Sequence, residues 1–179
     1  DYGTSDQGGK LSINGHNYAL LYTMAELDDL DETGLGGDYA LAPDLDASGT
    51  TYTAAPVGGD YSHAFTGAFT GLGHTISNLT IDTGGNDFAG LFGSVDTGAV
   101  RDIGLVGGSE AGGYYTGGLI GYGDHASVSN AFATGAVSGG DYVGGLIGYD
   151  ADATISSVYA TGAVSDRGSS AGGLIGSGS

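Results

Sequence analysis

The sequence predicts an all-β fold, a parallel β-solenoid (β-helix) of about 27–28-residue coils with a short N-terminal capping segment that contains a helix. Three observations carry this. A glycine-rich motif recurs as AGLFG from Ala89, GGLIG from Gly117, GGLIG from Gly144 and GGLIG from Gly172, at spacings of 28, 27 and 28. A second pattern lies between the copies, ISNLTI from Ile76, VRDIGL from Val100, VSNAFATGAVSGG from Val128 and ISSVYATGAVSD from Ile155, at spacings of 24, 28 and 27. The units are too short and too rich in glycine for helix pairs, so the period means short strands joined by turns and stacked coil on coil.

Taken in chain order, residues 1–66 do not repeat and are read as an N-terminal cap with a first irregular coil. The opening DYGTSDQGG lacks the basic and apolar pattern of a leader. TMAELDD is the best helix start in the chain: Thr23 and Glu26 form a capping box, Met24, Leu27 and Leu30 give a partial apolar face, and Gly34 and Gly36 end it. LDDLDE reads as the solvated side of that helix. YALAPDLDASGTTYTAAP reads as a strand followed by a loop.

Residues 67–179 are read as the solenoid proper, open at its C-terminal end. Aligning the second pattern gives apolar columns: Ile76, Val100, Val128 and Ile155; Leu79, Ile103, Ala131 and Val158; Ile81, Leu105, Ala133 and Ala160. The first two columns are three residues apart, which breaks strict alternation. The polar column between them, Asn78, Asp102, Asn130 and Ser157, is read as a bend. Glycine inside a strand costs roughly 0.5–1 kcal/mol against alanine, so the nine glycines of three GGLIG cores must meet a geometric need. Left-handed corners and close backbone approach are the two needs expected of Gly117, Gly118 and their equivalents. Leu119, Leu146 and Leu174 should point inward; Ile120, Ile147 and Ile175 should point outward unless a bend turns them in or a second layer covers them. The last residues, AGGLIGSGS, stop inside a repeat, which leads us to expect that the chain continues or that a partner covers this end.

Composition narrows the function. The net charge is −18, from 21 acids against Lys10, Arg101 and Arg167. Three basic residues offer little to a phosphate backbone or an anionic membrane surface, which argues against nucleic acid binding and membrane insertion. No cysteine is present, so there is no disulfide scaffold and no thiolate metal site. No apolar run is long enough to span a bilayer.

FTGAFTGLGHTISNLTI from Phe65, with AGLFG and the GGLIG repeats behind it, resembles the GLUG-motif regions of large bacterial secreted adhesins. These are filamentous-haemagglutinin-like proteins of the two-partner secretion type. AELDDLDETGLGGDYALAPDLDAS resembles the segment that precedes the first such coil. Together the resemblance covers residues 17–179. It implies an extracellular or cell-surface β-solenoid stalk or adhesive fibre and carries over no catalytic residue. The haemagglutination-type export domain of that family is not among these residues.

Candidate sites are few. DLDASG resembles the start of a calcium loop, with Asp44, Asp46 and Ser48 as metal ligands, but position twelve is Ala55 rather than Glu. Calcium is thus the one cofactor with a candidate site; otherwise none is expected. Asp124, Asp150 and Asp152 fall near equivalent turns, where two facing acids could cleave a glycoside; repeated solubilising loop acids are the plainer reading. DHAS from Asp124 holds triad residue types, but neighbours on a strand point apart. His16, His63, His74 and His125 show no metal-ligand spacing. NLT at Asn78 is a formal glycosylation sequon whose Leu79 fits a core strand. Tyr115 aligns with Tyr142, Tyr122 with Tyr149, and Phe132 with Tyr159. The four tyrosines could form a surface ladder that binds sugar rings or a second fibre; structural stacking is the plainer reading.

The leading expectation is a non-enzymatic, stiff structural or adhesive rod, for surface attachment or biofilm. Its partners would be a cell-surface glycan or protein receptor, or neighbouring copies end to end. A self-associating filament subunit and a carbohydrate-binding or carbohydrate-active β-helix are the alternatives.

Overall fold

The computed structural model describes residues 3, 5 and 8–179, with the side chains of Glu32 and Thr33 left aside. The leader reading therefore falls partly on residues outside that description.

Four sheets run along one axis, parallel except where Leu11–Ile13 pairs antiparallel with His16–Leu21, and the last three coils lend a strand to each. The first sheet stacks His16–Leu21, Asp38–Leu41, Ala68–Thr70, Ala99–Val106, Ser127–Ala133 and Thr154–Ala160. The second stacks Thr51–Tyr52, Thr80–Asp82, Ser109–Ala111, Ala136–Gly139 and Val164–Asp166. The third stacks Tyr114–Gly117, Asp141–Gly144 and Ala171–Gly172. The fourth stacks Phe92–Asp96, Ile120–Asp124, Ile147–Ala151 and Ile175–Gly178. Single bridges from Val57 and Phe65 carry the fourth sheet into the preceding coil. Five coils result, beginning near residues 38, 67, 99, 127 and 154.

Register follows the sequence period. Val100 pairs with Val128 and Val128 with Ile155; Ile120 pairs with Ile147 and Ile147 with Ile175. Leu119, Leu146 and Leu174 form one file, with Leu119 N–H donating to Leu146 C=O and Leu146 N–H to Leu174 C=O, both at 2.9 Å. Leu119 and Leu146 are wholly buried in the single core, and Leu174 packs against it. Ile120 and Ile147 are buried as well. The chain bends at Gly118 and Leu119, between the strands of the third and fourth sheets, so consecutive residues both turn inward.

One expected alignment is wrong. Ile76 pairs with Leu105 and Leu45, whereas Val100 pairs with Phe69. Between Thr70 and Thr75 the chain makes a four-residue turn, where the next coil places only Asp102 and Ile103. ISNLTI is thereby displaced. Its Asn78 stands opposite Gly107 at the following corner, and Ile81 stands opposite Glu110. Asn78, Asp102, Asn130 and Ser157 are all left-handed bends (φ 58°, 54°, 51° and 54°), but only the last three share a column.

The corners hold a second surprise. Three left-handed columns recur along the stack: Asp102, Asn130 and Ser157; Phe88, Tyr115 and Tyr142; Thr97, His125 and Asp152. None is glycine. The GGLIG glycines have no left-handed φ, so of their two expected roles only close approach applies. A Cβ on Gly117 would collide with the carbonyl oxygen of Ile120 in the same turn. A Cβ on Gly118 would lie 2.7 Å from the carbonyl oxygen of Gly145 in the next coil.

At the N-terminal end, Met24–Asp28 is a short helix with the expected reciprocal Thr23/Glu26 capping box, and Leu30–Thr33 is a further turn that ends at Gly34. Leu27 and Leu30 enter the solenoid core. YALAPDLDASGTTYTAAP is more than a strand and a loop: its short strands Asp38–Leu41, Leu45–Asp46 and Thr51–Tyr52 all pair into the ladders.

Candidate functional site

The aromatic residues assemble where the third sheet turns into the fourth. Tyr115 and Tyr142 stack one coil apart (5.4 Å, 8°), and so do Tyr122 and Tyr149 (5.5 Å, 1°). The two files meet edge to face: Tyr115 with Tyr122 at 5.2 Å, and Tyr142 with Tyr149 at 5.3 Å. The left-handed backbone at Tyr115 and Tyr142 aims their rings across the corner. Such a φ is unusual for a bulky residue and costs about 1–2 kcal/mol, so surrounding contacts must hold it.

Tyr61 and Phe88 extend the array. Tyr61 sits edge-on to Phe88 (4.7 Å) and to Tyr122 (4.8 Å). Burial, then a hydrogen bond with Tyr115, pushes the Tyr61 hydroxyl well above its ordinary pKa. Asp60 fixes the entry to this turn by accepting from Ser62 and His63, and the Ser62 bonds pull its carboxyl down to about 2. Phe88 was legible, since it precedes Tyr115 by one period; Tyr61 was not, because it lies before the repeat begins. In all, the four predicted tyrosines are brought together, half-buried, each stacked by one face on its counterpart in the adjacent coil.

Asp44, Asp46 and Ser48 lie on an exposed edge of the first coil. Asp44 Oδ1 accepts from Thr75 N–H at 2.8 Å, which holds its carboxyl below the usual range. Asp46 accepts from Asn78 Nδ2 and from Ser48 N–H, each at 3.0 Å, and is lowered likewise. Both carboxylates therefore tie the first coil to the second. Among the described residues, no group of three His, Asp or Glu side chains is placed to hold a metal ion.

The turn acids lie on the Thr97–His125–Asp152 corner. His125 Nδ1 meets Asp124, and its Nε2 is 4.0 Å from Asp152; the Asp124 hydrogen bond raises the His125 pKa. Asp150 is turned onto the N–H of Ala153 at 2.8 Å. A histidine thus stands between two of these acids.

One group escaped the sequence reading. Glu110 points inward between Ile81 and Val137, 2% exposed, and its Oε2 has no hydrogen-bond partner. Burial raises its pKa well above that of an ordinary glutamate. Extending the Val164–Val137 column back by one period would have found it.

Fold and surface together define a parallel β-solenoid that contains a GLUG repeat region. Residues 112–138 match the family model of the GLUG motif. The chain is also similar to Halomucin from Haloquadratum walsbyi, 39% identical over 84 residues, a match that covers 41% of this chain and 1% of that protein. The chain thus spans only a small fraction of the relative it matches. No solved structure matches. No helix among the described residues is long and apolar enough to cross a membrane.

Proposed function

We propose that this chain is a structural segment of a long extracellular or cell-surface protein, a stiff rod that holds and displays surface for attachment. The observation that carries this reading is the in-register stacking of all four sheets over successive coils. Backbone hydrogen bonds then run along the axis, where a load would be shared by several ladders. The GLUG match and the similarity to Halomucin support it. Neither the fold nor the repeat calls for catalysis, and the rod in this reading needs no cofactor: Asp44 and Asp46 serve as ties between coils. The tyrosine array acts as cladding for one corner, because its two files stack along the coils and close on each other edge to face. A cell-surface glycan or protein receptor, or further copies of the chain, are the partners an adhesive rod requires.

Digestion with thermolysin under native conditions, followed by mass spectrometry, tests the rod. A load-bearing solenoid loses only residues near its ends and yields one large resistant fragment that spans 38–179. Early cleavage inside Ser127–Gly144 would contradict it. In parallel, beads coated with the chain should be retained under flow on a cell or glycan surface better than albumin-coated beads; equal retention would remove the adhesive part of the reading.

A further inference from the structure

A file of outward positions runs along the first sheet, one per coil: Thr75, Gly104, Phe132 and Tyr159. Phe132 and Tyr159 stack with nearly parallel rings at 5.0 Å. The file is interrupted at Gly104, which has no side chain to offer. A Cβ built there would collide with the ring of Phe132, so that ring leans over the vacant rung. Beside it lies an open cleft of about 450 Å³ between Leu72 and Gly73 of one coil and Phe132 of the coil two further on. This is within the usual size of small-ligand sites.

The chemistry of the cleft narrows its occupant. Leu72 is exposed, and with Phe132 it supplies apolar wall. The polar groups come from the adjoining bend column. Asn130 Nδ2 donates to Asp102 Oδ1 at 3.0 Å, and Asp102 Oδ2 accepts from Arg101 at 2.7 Å. That bonding fixes the amide and the carboxylate. It leaves the Asn130 carbonyl oxygen, its second amide hydrogen and a lone pair on Asp102 Oδ1 for a ligand. An aromatic face beside paired donors and acceptors suits a ring that is apolar on its faces and hydroxylated at its rim. The net charge of −18 disfavours an acidic sugar or a phosphate.

We propose that this cleft binds one pyranose ring of a neutral glycan, its C–H face on Phe132 and neighbouring hydroxyls on Asn130 and Asp102. The site is additional to the rod, and its loss would leave the structural reading standing. A single ring held this way binds with a Kd of order 1 mM.

The test is a ¹⁵N–¹H correlation titration of the whole chain with methyl β-D-glucopyranoside, methyl β-D-galactopyranoside and methyl α-D-mannopyranoside, with sodium glucuronate as charge control, each to roughly 50 mM. At least one neutral glycoside should give saturable shifts at Gly73, Gly104, Asn130 and Phe132, and glucuronate none. Phe132→Leu removes the ring face. Asn130→Gly removes the amide and keeps the left-handed bend (φ 51°). Each variant that retains the dispersed native spectrum should bind about tenfold more weakly or not at all. The proposal is overturned by no saturable shift from any glycoside, by shifts centred on the tyrosine array, by an equal response to glucuronate, or by unchanged affinity in a folded variant. The first of these would leave the cleft to an apolar side chain of a protein partner.

Discussion

Glu110 is the residue whose chemistry conflicts most with its place. Its neighbours in the inward file are Ile81 and Val137, neither of them charged, and one carboxyl oxygen has no partner. Its folded pKa is raised above the unfolded value, so its contribution is at its best below the unfolded pKa and is lost as pH rises through the folded one. Glu110→Val should therefore stabilise the chain at pH 7 by about 1–3 kcal/mol, and Glu110→Gln should remove this part of the pH dependence. Urea melts from pH 4 to pH 9 check both; a variant less stable than the parent across that range would show that the carboxyl has a partner. Glycines give a sharper contrast. Gly118, Gly145 and Gly173 are equivalent, yet a Cβ at Gly118 lies 2.7 Å from a backbone oxygen while one at Gly173 meets nothing within 4 Å. Gly118→Ala should cost about 1–3 kcal/mol and Gly173→Ala almost nothing, as read from thermal midpoints. Equal costs would mean that close approach is not why these glycines are there.

At the scale of elements, the period and the inward leucine file were legible because both depend on spacing alone. Ile76 was misplaced because a four-residue turn after Thr70 changes the offset, and no periodicity survives an insertion. The left-handed corners were half legible. Asp102, Asn130 and Ser157 advertise a bend by being small and polar, whereas Tyr115 and Tyr142 adopt the same backbone with side chains that advertise a core. Their stacking offsets the strain, and that too was readable as aligned aromatics. The cleft at Gly104 was not, since it is the absence of a rung beside a ring two strands deep in the stack. Tyr122 and Tyr149 give the element-scale prediction. A double-mutant cycle with Tyr122→Ala and Tyr149→Ala should show a coupling of about 0.5–1.5 kcal/mol. Strict additivity would mean that the stacked rings contribute only by separate burial.

Over the whole molecule, 21 acids face three basic side chains. Stacking coils at fixed spacing brings like charges into files, and self-repulsion then opposes the compact state. The thermal midpoint should rise as sodium chloride is raised from about 0.05 M to 1 M, because the screening length shortens from roughly 14 Å to 3 Å. A midpoint independent of salt would show that the acids are spaced too widely to interact. The central claim is that each period adds one turn to a stack. Three further copies of residues 127–153 inserted after residue 153 test it most directly, with the particle dimensions measured by small-angle X-ray scattering. The stack predicts a particle longer by about 14 Å with the same cross-section, since each coil advances about 4.8 Å. A particle that grows in all directions, with a larger cross-sectional radius, would contradict it.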